Sequence, residues 1–194
     1  MSEILGTLFK YLLAMLAIVA VVVLLLEALG NSGVQSATNE ITTMQANITE
    51  FYAGQTAPSL DTNATDAIDT GLVPSHMVSG TGKNAKITDP WAGSVSFSSE
   101  QAQAPGAIGE SFGIIFSNVP PAACRKLVEV MVPNMDHIDI ESGSSGSSSS
   151  SGSSTSIMAS DQNFPGEIGP DCGNTPQSIG FFFLVPGVSS SSNQ

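Results

Sequence analysis

Positive charge is scarce in this sequence. Lys10, Lys83, Lys86, Arg125 and Lys126 stand against 17 acidic residues, for a formal net charge of -12. An electrostatic grip on nucleic acid or on anionic lipid headgroups needs a basic patch, and none can be assembled here. Cysteine and histidine are scarcer still, at two each. Two thiols cannot fill a tetrahedral zinc shell, so Cys124 and Cys172 are expected to form a disulfide instead. His76 and His137 stand alone in the sequence and are expected to be structural or solvated. No Gly-rich phosphate loop, His-x-x-x-His pair, Cys-x-x-Cys or nucleophile elbow occurs. The acids are scattered without the spacing that places two on one helical face, and those of "GEIGPDCGN" lack the alternating oxygen ligands of a calcium loop. The sequence therefore predicts a protein that is not an enzyme, with no cofactor and no metal.

What is present begins with apolar residues. From Tyr11 to Leu26 there is no charge, Pro or Gly, and Ile4, Leu5, Leu8 and Phe9 extend the run toward Met1, interrupted by Glu3 and Lys10. A helix rises 1.5 Å per residue, so about 20 such residues cross the roughly 30 Å hydrocarbon layer. An export signal needs a basic start, a shorter apolar stretch and a small-residue cleavage site. "MSEI" is acidic and the run is too long, so a lasting membrane anchor is the better reading.

Beyond it, Val34, Ala37, Ile41, Met44, Ile48 and Phe51 recur every three or four residues. Polar residues fill the positions between, Glu40 among them, which predicts an amphipathic helix continuing the apolar one. "GNSG", Gly30 to Gly33, lies between the two halves. Each Gly costs about 0.8 to 1 kcal/mol in a helix interior, so Gly30 and Gly33 are read as a hinge, or Gly30 as the C-cap of the first half.

The rest is polar and turn-rich. A short helix is expected around Thr65 to Ile68. Strands are expected in "GLVPSHMV", around Ile87, Val95 and Phe97, over Phe112 to Val119, in the alternating "HIDIE", and over Ile179 to Val185. "PPAACRKLVEVMV" predicts a helix with Pro in its first turn and Cys124, Leu127, Val128 and Met131 on one face. Ser142 to Ser156 is a low-complexity surface excursion inside the span from Cys124 to Cys172. Sequons occur at Asn47 and Asn63.

In this order, the apolar helix with its amphipathic continuation, "GLVPSHMV" with "DPWAGSVSF", "PPAACRKL" and "DCGNTPQSIGFFF" resemble a type IV pilin, most nearly the type IVb group that includes the thin-pilus subunits of conjugative plasmids. The resemblance implies an α+β fold: a long N-terminal helix packed on a small antiparallel sheet, with a disulfide closing the C-terminal region. Residues 1–53 would be the helix, with an apolar half over 4–29 and an amphipathic half over 34–53. Residues 54–194 would be the head, carrying the loop 142–156.

It further implies identical subunits as partners in a helical polymer used for adhesion, aggregation or mating contact. The inner membrane would hold the subunit before a prepilin peptidase and an assembly machine with its ATPase act on it. Such pilins carry Glu at mature position 5, where this sequence has Leu5. Glu3, alone or paired with Lys10, is expected to substitute. Met1 is expected to be the mature, N-methylated residue, with cleavage after Gly6 as the competing site. "DPWAG" is also similar to the "DPWG" of the major secretion pseudopilins. A pseudopilin, a minor pilin and a non-polymerising bitopic surface protein are the alternatives.

Overall fold

The computed structural model describes residues 32–52, 64–103, 110–141, 154–158 and 168–185. The apolar run over 4–29 lies outside them, as do Gly30 and Asn63. Among the described residues no helix is long and apolar enough to cross a membrane.

Residues 32–52 form helix α1. Its apolar spacing puts Val34, Ala37, Ile41, Met44 and Ile48 on one buried stripe. On the other faces, Thr38, Thr42, Thr43 and Thr49 each donate a hydroxyl to the carbonyl four residues back, at 2.7 to 2.9 Å. Helix-compatible bonds of this kind satisfy β-branched polar residues that would otherwise favour other conformations. The stripe does not end at Phe51, which is 42% exposed, but at Tyr52, which is 5% exposed. An α-helix has 3.6 residues per turn, so a strict seven-residue repeat drifts off the buried face, and the last contact falls one residue later than the heptad predicts.

α2 (Ala64–Asp69) follows. The stretch "GLVPSHMV" is not a strand through its length: Pro74 leads into a 3-10 turn over Ser75–Met77. Only Val78–Ser79 (β1) pairs, with Lys86–Ile87 (β2).

The main sheet has β3 (Val95–Gln101), β4 (Glu110–Val119), β5 (His137–Glu141), β6 (Ser154–Ile157) and β7 (Gln177–Leu184), antiparallel in the order β3-β4-β7-β5-β6. Because side chains alternate along a strand, register decides which residues meet. Phe112, Ile114 and Phe116 of β4 lie opposite Phe183, Phe181 and Ile179 of β7. Phe97 lies opposite Ile114, and Ile138 opposite both Phe181 and Ile157. These residues, the stripe of α1 and the apolar face of α3 (Pro121–Met131) make one core. Tyr52 joins it through the Phe112 ring, 6.4 Å away between centroids.

Two elements were hidden in the sequence. The tail of the Ser-rich tract is the edge strand β6, which pairs from Glu141↔Ser154 to Ile138↔Ile157. Ile157 supplies an apolar anchor just beyond the serines, and it is almost fully buried. A single turn, α4 (Ile168–Asp171), precedes Cys172, whose N–H donates to the Ile168 carbonyl.

Candidate functional site

Of the residues the sequence singles out, Met1, Glu3, Leu5, Lys10 and Gly30 lie outside the described residues. Cys124 and Cys172 are bonded, with Cα atoms 5.8 Å apart and both side chains fully buried. The bridge ties the first turns of α3 to the end of α4, just before β7. Arg125 adds a 3.3 Å hydrogen bond to the Gly173 carbonyl beside it. The span it closes holds β5, β6 and the Ser-rich tract.

Gly33 lies within α1, and a Cβ there would sit 3.0 Å from Trp91 Nε1. The missing side chain lets the indole rest against the helix. Trp91 is presented by a turn built on Asp89, whose Oδ1 accepts the N–H groups of Trp91 (2.8 Å) and Gly93 (2.7 Å). Ala92 takes a positive φ of 62°. At Gly93 a Cβ would collide with the Ser117 carbonyl of the neighbouring strand, so only glycine fits. The sequence "DPWAG" is thus a cap, a platform and a close approach in succession.

The same turn faces an acid on the helix. Glu40, assigned by pattern to the polar face, is in fact buried, with its side chain 7% exposed. Its Oε1 accepts from Ser36 Oγ at 3.0 Å and lies 3.3 Å from His76 Nε2, while Oε2 has no hydrogen-bond partner. Asp89 Oδ2 is likewise buried without a partner. Burial pushes the Asp89 carboxyl above its ordinary pKa, the Gly93 and Trp91 N–H groups pull it back, and the charge of Glu40 adds to the rise. Asn47, the first sequon, also serves the fold: its amide donates to the Leu72 carbonyl at 3.2 Å.

The face of the sheet turned away from the core holds a second polar assembly, and here the isolated histidine of the sequence finds company. His137 is fully buried. Its Nδ1 lies 2.7 Å from Asp136 Oδ2, an atom that also accepts from Gln103 N (2.8 Å) and Ser111 Oγ (2.9 Å). Its ring stacks on Phe182, with centroids 4.3 Å apart and planes 8° apart. Phe182 is only 2% exposed yet stands outside the main core. It lies flat because Gly113 and Gly180 offer no Cβ; one at Gly180 would be 2.7 Å from the ring. Glu100 from β3 and Asp139 from β5 converge on the other ring nitrogen, Nε2.

Sequence spacing missed this group because Glu100 and Asp139 belong to strands far apart in the chain. The readable trace was the inward-outward alternation of "HIDIE". Burial and the charges of Asp139 and Glu141 raise the Glu100 pKa, against a lowering by His137.

Residues 31–164 match the family model described as PilS N terminal. No curated protein matches the chain. Among solved structures it is similar to the type IV b pilin from Salmonella typhi, at 17% identity and a TM-score of 0.49, over 75% of this chain and 98% of that one.

Proposed function

The chain belongs to the PilS N-terminal family of type IV pilins, and from that membership we propose that it is the structural subunit of an extracellular pilus of the IVb kind, polymerising through its apolar N-terminal segment. The observation that carries this reading is the family match together with the apolar run that directly precedes α1. The head already has a contiguous core of its own, in which one stripe of α1 is used from Val34 to Tyr52. Residues 4–29 are an apolar run with a single basic and a single acidic interruption, Lys10 and Glu27. Burying that much apolar surface requires another environment: first lipid, then the matching segments of neighbouring copies.

On this reading Glu3, Leu5 and Lys10 lie at the assembly end, with Glu3, or its pairing with Lys10, in place of the usual acid at position 5. Gly30 and Gly33 are the place where the rod bends as copies pack. The inner membrane, a prepilin peptidase and an assembly machine act before the fibre is exported, and adhesion, aggregation or mating contact is the use of the finished filament. Pilins of this family are structural proteins, and no catalytic role is assigned.

The test is to express the chain with a type IVb assembly apparatus, shear the cells and inspect the supernatant by electron microscopy and mass spectrometry. Thin fibres composed mainly of this chain are expected. A chain that stays in the membrane as one discrete detergent-soluble oligomer refutes polymerisation, and a chain found only in trace amounts in fibres made of another subunit makes it a minor pilin.

A further inference from the structure

We propose that the outer face of the sheet binds one divalent transition-metal ion, of the Zn2+ class, on His137 Nε2 and the carboxylates of Glu100 and Asp139. The three donor atoms lie within 4.8 Å of one another. Nε2 is 3.9 Å from Glu100 Oε2 and 4.0 Å from Asp139 Oδ2. Zinc bound tetrahedrally at about 2.0 to 2.2 Å wants its donors about 3.3 Å apart, so each carboxylate must approach Nε2 by about 0.6 to 0.7 Å and the two carboxylates must close on each other by up to about 1.5 Å. Glu100, with 44% of its side chain exposed, is free to make that move. One imidazole with two carboxylates favours zinc over magnesium or calcium, which prefer oxygen alone.

The surroundings are those a metal-binding histidine requires. Asp136 Oδ2 accepts a hydrogen bond from Nδ1–H, the tautomer that the Gln103 amide on Nε2 also requires, and this leaves the Nε2 lone pair facing the two acids. Asp136 is itself held by Gln103 N and Ser111 Oγ, and Phe182 locks the imidazole plane from one side. These supports come from β4, β7 and the segment after β3, so the ring is positioned independently of the two acids.

Two further observations point to an occupant. Asp139 Oδ1 is buried without a hydrogen-bond partner. Beside it is a cavity of about 40 Å³ bordered by Glu100, Asp139, Glu141 and Phe182, enough for an ion with a water. Among the described residues, no Lys or Arg forms an ion pair with Glu100, Asp139 or Glu141. A dication placed among these carboxylates would relieve their mutual repulsion. The present partner of Nε2 is the Gln103 amide nitrogen at 3.2 Å, whose oxygen accepts from Ser156 Oγ. Metal binding exchanges that single neutral hydrogen bond for coordination. Since Glu100 is on the edge strand β3 and His137 and Asp139 are on β5, the ion would brace β3 to β5 across β4 and β7.

The experiment uses the full-length, disulfide-bonded chain in detergent, stripped with EDTA and dialysed against Zn2+ in excess Mg2+. Bound metal is measured by mass spectrometry, and Co2+ is used as a spectroscopic stand-in. One Zn2+ per chain and the intense visible band of tetrahedral Co2+ are expected. Glu100→Gln and Asp139→Asn should each weaken binding by at least about tenfold while leaving the metal-free melting curve and circular dichroism in place. Glu129→Gln on α3, remote from the cluster, should leave binding as it was. His137→Gln should abolish it. Failure of the parent chain to retain stoichiometric Zn2+, or equal affinity in the Glu100 and Asp139 variants, overturns the assignment.

Discussion

Replacing both Cys124 and Cys172 by alanine removes a cross-link whose value can be worked out before the measurement. The bridge spans a sequence separation of 48. In the chain-entropy model, closing a loop of about 49 residues removes roughly 14 cal/mol/K from the unfolded ensemble, or about 4 kcal/mol at 25 °C. Both sulfurs are fully buried, so the alanines also leave small voids that add to the loss. A domain of this size has a total stability of about 5 to 15 kcal/mol, so the head should stay folded but lose a large part of its margin.

With a urea m-value of about 1.5 kcal/mol/M, the unfolding midpoint should fall by about 2 to 3 M, followed by circular dichroism on the detergent-solubilised chain. A second arm tests the cause. Deleting about ten residues of the Ser-rich tract from the bridged chain should change the bridge's contribution by only about 0.2 kcal/mol, because closure entropy varies with the logarithm of length. A double variant within about 1 kcal/mol of the parent would refute the reasoning. It would mean that α3 and the segment before β7 are already confined in the unfolded chain.

Two other outcomes follow from the helix and its seat. Asp89 has a folded pKa above its ordinary 3.8, so the stability it contributes is fully present below about pH 3.8 and is lost as pH rises through the elevated value. Asp89→Asn keeps an oxygen for the Trp91 and Gly93 N–H groups and should flatten that decline, measured as melting temperature against pH. At the end of α1, Tyr52→Ala should cost about 3 to 5 kcal/mol as a buried aromatic truncation, whereas the neighbouring Phe51→Ala should cost about 1 kcal/mol or less. Urea titrations of the two variants separate the buried-stripe assignment from the heptad one.

The local signals in this sequence carried further than the non-local ones. The strands β4 and β7, α3 with its leading prolines and the stripe of α1 are runs whose periodicity is written into adjacent residues. α3 also carries one half of the disulfide. β6 was obscured because Ser154 to Ser156 has no apolar alternation, and its strand character comes from pairing with β5. Glu40 looked solvated because a helical wheel shows which residues share a face but not how wide the opposing surface is. The Asp89 turn covers more of α1 than the apolar stripe alone required. His137, Glu100 and Asp139 come together only when β3 and β5 are placed in one sheet, and no spacing in the chain encodes that neighbourhood.

The sole tryptophan of the chain has a convenient address. Trp91 leans on Gly33, in the first described turn of α1. Indole emission shifts to longer wavelength as its ring becomes wetter, so any event that levers the helix away from its seat should redden the fluorescence, and tighter crowding at that joint should turn it bluer. The molecule thus carries an unlabelled optical gauge of how α1 is seated, usable on a subunit in a micelle and equally suited to testing the proposed assembly.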